Sequence, residues 1–246
     1  MNLLLVDPGE VADDVVVLDG RRAAHLRTVL GVTVGTQVRV GIIGAGTGTA
    51  EILTDDGVAL TVRLAITAPT PRAMPVDLVL AVPRPKALTR TIEAIASFAV
   101  ARVALTNAWR VDKSYLTSPR LAPAALAEAA RLGAEQGMTT HIPEITIHHR
   151  LMELLDARWP AGVRDDRVRM IAHPGGIPIE HAMRIHDDDP ITLAIGPEGG
   201  WIEREIETFV ARGFTAVSLG APILRVETAV AAVLGQLVLL RRLAER

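Results

Sequence analysis

The sequence predicts an α/β protein in two parts: a small, mostly β module over residues 1–70 and a larger domain over residues 71–246 built on a mainly parallel sheet. Two observations predict this. Prolines at 69, 71 and 75 interrupt the chain where neither a helix nor a central strand tolerates them. Before that break the apolar segments are short and β-branched; after it, strand-like runs alternate with helical ones, the pattern of a parallel sheet covered on both faces.

In the first part, residues 15–18 read as a strand. Residues 19–30 carry Ala24, Leu26 and Leu30 near helical spacing, and 38–43, 49–53 and 58–66 are strands bounded by Gly or Asp-Asp-Gly. In the second part, 76–82, 103–106, 168–172, 191–195 and 216–219 read as strands. Residues 88–100, 122–135, 203–212 and 227–243 read as helices. Ligands in such folds bind beyond the carboxyl ends of the strands.

The 246 residues carry 26 Lys+Arg against 28 Asp+Glu and no Cys, with 49% hydrophobic residues. Near-neutrality argues against a nonspecific nucleic-acid coat while leaving room for a local basic face. The lack of Cys excludes disulfide scaffolds, thiolate metal sites and a cysteine nucleophile. No apolar run approaches the ~18–20 residues of a membrane span, and the N-terminus turns acidic too early for a signal peptide, so a cytoplasmic protein is expected. All but two of the cationic residues, Lys86 and Lys113, are Arg, a side chain suited to phosphate forks. Seven aromatics are too few for a stacking platform of the common single-strand RNA modules.

The run Gly44-Ala45-Gly46-Thr47-Gly48-Thr49 imitates a dinucleotide loop. It opens into Thr49-Ala50-Glu51-Ile52 and then Asp55-Asp56-Gly57 rather than into a helix, so it reads as a hairpin turn. Stronger signals follow three predicted strands of the second domain. They are His173-Pro174-Gly175-Gly176, then Gly196-Pro197-Glu198-Gly199-Gly200, then Gly220-Ala221-Pro222-Ile223-Leu224-Arg225. Glycines let backbone approach a ligand closely, and three such loops on one sheet edge suggest a shared pocket. Glu203 and Glu205 suit the positive end of the helix after the second loop. Ile223 and Leu224 can pack on a flat heterocycle. Arg225 and Glu227 either present charge to a ligand or form an ion pair that merely closes the loop.

Ile195-Gly-Pro-Glu-Gly-Gly200, followed by Leu219-Gly-x-x-Ile-Leu-Arg-x-Glu-Thr-Ala229, resembles the RsmE-type 16S ribosomal RNA uridine-N3 methyltransferases of the SPOUT superfamily. His25-Leu26-Arg27-x-x-Leu30 with Gly35-x-x-Val38 is similar to that family's PUA-like module, and Glu135-Gln136 and Ile142-Pro-Glu-Ile145 also fall in place. The resemblance implies a PUA-like β-barrel joined to a SPOUT domain with a deep trefoil knot. It also implies a homodimer burying the terminal helix, and S-adenosylmethionine bent within the knot. The cofactor side would be His173, Ile195, Gly196, Pro197, Glu198, Gly199, Gly200, Leu219, Gly220, Ile223, Leu224, Thr228 and Ala229. The RNA side would be Arg21, Arg22, His25 and Arg27.

Uridine N3 must lose a proton and leave its pairing partner before it can be methylated. Arg225 is the candidate for stabilising the developing uridine anion or its phosphate. Glu198 or Glu227 would accept the proton or hold the cofactor's amino groups, and no metal is implied. The expected substrate is a uridine of 16S ribosomal RNA in the small subunit. A different RNA target, or a noncatalytic RNA-binding factor of the same fold, stays open. This chain departs from the family pattern at Gly31, Ala94, Ser97, Met138, Thr139, Pro222 and Val226. Several of these remove cations or hydrogen-bonding groups from the RNA side.

Overall fold

The computed structural model describes residues 2–163, 167–182 and 190–244. Its first sheet uses β1 (Leu4–Val6), β2 (Val15–Leu18), β3 (Gln37–Ile42), β4 (Thr47–Asp55) and β5 (Leu60–Ala68), with α1 (Gly20–Thr28) between β2 and β3. The strand order is β1-β3-β4-β5-β2, antiparallel except for the parallel β1–β3 pair, and the sheet curls into a half-barrel with β1 and β2 as its two edges. Alternation drives this curl. Val16, Leu18, Val40, Ala50, Ile52, Leu60, Val62 and Leu64 point into one small core with Leu26 of α1.

β1 escapes detection in the sequence because Leu3-Leu4-Leu5-Val6 is apolar throughout instead of alternating. Both its faces are buried. Leu4 and Val6 enter the module's core, while Leu3 and Leu5 pack against Ala134 of the second domain. The Gly44 turn is a hairpin corner, as its sequence predicts. Gly44 takes φ +70°, and its amide donates to Thr140 O at 2.9 Å across the junction.

The second sheet contains β6 (Met74–Ala81), β7 (Val100–Thr106), β8 (Glu144–His148), β9 (Val168–Pro178), β10 (Ile191–Ile195) and β11 (Thr215–Ser218). Its order is β11-β9-β10-β6-β7-β8, and every neighbouring pair is parallel. The α-helices of this part among the described residues are α2 (Pro85–Ser97), α3 (Pro123–Gly137), α4 (Leu151–Arg158), α5 (Glu203–Val210) and α6 (Val226–Ala244). Pro85 and Pro123 open their helices, where a missing N–H costs nothing. α2 and α3 touch backbone to backbone: a Cβ at Gly133 would lie 2.1 Å from Glu93 O. β8 and α4 were not apparent in the sequence; β8 is a half-buried edge strand whose pairing with β7 is remote along the chain.

α6 buries Val226, Val230, Val233, Leu234, Leu237 and Arg241, the helical spacing of one face, and packs on α2. Val238, Leu239 and Leu243 remain exposed. Among the described residues no helix is long and apolar enough to cross a membrane.

Candidate active site

The three glycine-bearing segments meet at the carboxyl ends of β9, β10 and β11, around a pocket of about 440 Å³. Each reaches it differently. The sequence predicts that 168–172 ends in a loop at His173, but β9 runs on to Pro178. Its register against β11 steps from Ile171↔Ala216 to Ile177↔Val217, so residues 172–176 bulge outward between paired stretches. Gly176 is required at the return, since a Cβ there would lie 2.5 Å from Val217 N. Within the bulge the His173 ring accepts the Gly175 amide at Nδ1 (3.0 Å), which leaves the proton of the neutral ring on Nε2.

The second segment turns sharply, with the Gly200 amide donating to Pro197 O at 2.8 Å and Gly200 at φ +70°. A Cβ on Gly196 would sit 3.1 Å from Trp201 N and 3.2 Å from its ring. The Glu198 carboxylate accepts the Arg84 amide at 2.8 Å, at the start of α2, so one oxygen ties the loop to that helix. Glu205, in the first turn of α5, accepts the Ile202 amide at 2.9 Å and the Trp109 amide at 2.8 Å. In the third segment Gly220 takes φ +112°, a region closed to most side chains, and its amide donates to Ser218 Oγ.

Of the residues expected on the cofactor side, the pocket is lined by His173, Ile195, Gly196, Pro197, Glu198, Gly199, Gly200, Leu219, Gly220, Ile223, Leu224 and Ala229. Thr228 is not among them. Arg225 and Glu227 also stand outside the lining. Arg225 is exposed just before α6, with no side-chain partner among the described residues, and Glu227 is half-buried in the helix's first turn. Sequence reasoning missed Arg110 and Trp201. Arg110 comes from the loop after β7 and donates to Gly199 O; nothing local in the sequence places it there. Trp201 was inside a recognised motif, but its buried Nε1, which has no hydrogen-bond partner among the described residues, appears only in three dimensions.

The residues expected on the RNA side divide. Arg21 and His25 line a second cleft of about 490 Å³ between α1 and the α2–α3 pair, with Arg90, Ala94, Ser97 and Gln136. Arg21 reaches Glu128 at 3.2 Å and the buried Glu135 at 3.3 Å, and His25 Nε2 is buried without a partner among the described residues. Arg22 and Arg27 are held within the first module instead. Arg22 binds Glu10 and Leu5 O, and its guanidinium holds the Glu10 carboxyl down to about 2. Arg27 binds Asp55 and the carbonyls of Val58 and Ala59, and that hydrogen bond lowers the Asp55 pKa while raising that of Arg27.

Residues 70–238 match the family described as RNA methyltransferase domain. The chain belongs to this family. It is 28% identical over 235 residues to the Ribosomal RNA small subunit methyltransferase E of Treponema pallidum, covering 94% of this chain and 88% of that protein. Two solved structures share the fold. One is a Ribosomal RNA small subunit methyltransferase E from Neisseria gonorrhoeae bound to S-adenosyl methionine, with TM-score 0.79, 22% identity and 98% of each chain covered. The other is a Legionella pneumophila putative methyltransferase in complex with the same cofactor, with TM-score 0.75, 22% identity and 96% of each chain covered. In this RNA methyltransferase the shared fold places the three glycine segments at the sheet edge where α/β proteins bind ligands.

Proposed function

We propose that this RNA methyltransferase transfers a methyl group from S-adenosylmethionine to N3 of a uridine in 16S ribosomal RNA of the small subunit. The observation that carries the reading is the convergence of the three glycine segments on one pocket. The name of the Treponema relative and the cofactor in both solved relatives support it. The pocket suits the cofactor. Its volume lies within the range of about 300–1,000 Å³ for small-molecule sites. Gly196 has little room for a Cβ against Trp201, which leaves its backbone bare at the pocket wall, and among the described residues Trp201 Nε1 is a buried donor without a partner. Ile195, Leu219 and Leu224 offer apolar surface for adenine, and the backbone of the glycine segments offers hydrogen bonds to its edge.

When bound, the cofactor supplies a methyl on a positively charged sulfur, so transfer leaves a neutral thioether and requires no metal. What the chain must supply is position and charge. Arg225, exposed beside the pocket and unpaired among the described residues, stabilises the uridine anion formed as N3 loses its proton. Glu227, two residues further, is the candidate proton acceptor. Glu198, with one oxygen tied to the Arg84 amide, holds the loop, and its other oxygen would be available to hold the cofactor's amino groups. Arg21 and His25 in the interdomain cleft face the RNA, whereas Arg22 and Arg27 act mainly on the module's own stability.

The remaining expectations fit the same reading. α6 returns from the sheet edge at β11 to pack on α2, the return a trefoil-knotted path needs, and its exposed Val238, Leu239 and Leu243 suit a homodimer. The reaction would take place in the compartment where ribosomal RNA matures. Ala94 and Ser97, the family departures, line the interdomain cleft, which favours a different RNA target as the second reading. Mass-spectrometric mapping of ribosomal RNA from cells with and without the chain tests both. 3-Methyluridine in small-subunit RNA that depends on the chain is the expected result. Methylation elsewhere establishes the second reading, and no difference refutes both.

A further inference from the structure

The turn after β7 has an unusual pair at its corners. The Val111 amide donates to Ala108 O at 3.0 Å, closing a tight turn whose end residues, Ala108 and Val111, are buried. The two corner residues are Trp109 and Arg110. Turn corners favour Gly, Asn, Asp and Pro; a large apolar ring held there in water contributes nothing to the turn. Trp109 is 80% exposed, whereas Trp159 and Trp201 are 7% and 4% exposed within an aromatic cluster with Phe209 and Phe214.

The exposed ring is held on a fixed backbone. The Trp109 amide donates to Glu205, which also caps the start of α5, and Arg110 donates through Nη1 to Gly199 O. The Arg110 stem covers Gly199, where a Cβ would lie 3.0 Å from its Cδ. Arg110 therefore lines the candidate cofactor pocket, and among the described residues no carboxylate pairs with it.

We propose that Trp109 and Arg110 form a clamp for the RNA strand at the mouth of the pocket: the indole stacks on an unpaired base beside the methylated nucleotide, and the guanidinium meets that strand's phosphate. This rests on the RNA methyltransferase reading above and adds the residues that hold the strand. The chemistry suits a single strand. Any base presents a flat face to an aromatic ring, and a cation beside it tracks the backbone. A target uridine with N3 exposed is already unpaired, so its neighbours are available for stacking.

Three full-length chains test this: wild type, Trp109→Ala and Trp109→Phe, each titrated with a short oligouridylate and separately with S-adenosylmethionine. Trp109→Ala is expected to bind the oligouridylate at least about fivefold more weakly, the lower end of a base–aromatic stack, with cofactor affinity unchanged. Trp109→Phe is expected to restore most of that affinity. In wild type the oligouridylate should quench tryptophan emission, and in Trp109→Phe it should not. Arg110→Gln should weaken binding and reduce its salt dependence by about one phosphate contact. Equal affinity of wild type and Trp109→Ala overturns the clamp. So does a Trp109→Ala chain that changes oligomeric state in light scattering, which would place the ring in an interface between copies. A wild type that neither binds nor methylates ribosomal RNA refutes the underlying reading as well, and so separates the two failures.

Discussion

Replacing Glu10 by Gln tests whether Arg22 is committed to the first module. Glu10 accepts both terminal nitrogens of Arg22 and, at 2.8 Å, the Asp7 amide. The Arg22 hydrogen bond, working against burial and aided by that amide, holds the carboxyl at about 2 instead of 4.5. A depression from 4.5 to about 2 corresponds to about 3.4 kcal/mol at about 1.36 kcal/mol per pKa unit. The carboxylate is one-third exposed, at 33%, so solvent screening reduces the expected net effect to about 1–2 kcal/mol. Because the folded pKa lies below the unfolded one, this stability is fully present above about 4.5 and is lost as pH falls toward 2. Near neutral pH, Glu10→Gln should therefore melt about 2–8 °C below wild type if the chain unfolds as one unit. The gap should narrow steadily in acid. Urea midpoints at several pH values measure it. No gap at neutral pH, or a gap that widens as pH falls, would refute the assignment and return Arg22 to the RNA side.

Gly196→Val should weaken S-adenosylmethionine binding more than Gly199→Val. The first pushes a branched side chain against the Trp201 backbone and ring, the second against the flexible stem of Arg110. Calorimetric titration of both variants would show the order, and the reverse order would contradict the pocket geometry. Arg225→Gln should slow single-turnover methyl transfer about 10²-fold or more with both binding constants nearly unchanged, the mark of a contact made chiefly in the transition state; equal losses in binding and rate would make it a binding residue. Leu239→Glu, on the exposed stripe of α6, should convert a dimer to a monomer by light scattering. A wild-type chain that is itself monomeric would remove the dimer from the reading.

The glycine segments of the candidate cofactor pocket were legible in the sequence because their demands fall on backbone. Positive φ at Gly200 and Gly220, and close approach at Gly176 and Gly196, leave glycines that a reader can see. The RNA side was less legible because its demands fall on side-chain partners that are remote along the chain. Nothing near Arg22 announces Glu10, which lies before β2, nothing near Arg27 announces Asp55, and Arg21 finds Glu135 in the other domain. The same distance hid β1 and β8, whose strand character depends on pairing with β3 and β7. In β9 the glycines announced a loop correctly, but the strand resumes beyond it because β11 pairs with both of its ends.

One helix ties the two sites together. α2 begins at Pro85, beside the Arg84 amide that Glu198 accepts in the candidate cofactor pocket. Its far end carries Ala94 and Ser97, which line the cleft shared with Arg21 and His25. Thirteen helical residues span about 20 Å at about 1.5 Å each, so one rigid element separates and orients both sites. The close approach of Gly133 and Gly137 to the α2 backbone fixes α3 against it, and Ala134 of α3 meets Leu3 and Leu5 of the first module. On the proposed reading, a strand of RNA in that cleft would lie at a set distance from the glycine loops. Substitution at Ala94 or Ser97 would change the wall of that cleft without moving α2, so on the proposed reading the grip on RNA and the place of methylation can vary separately.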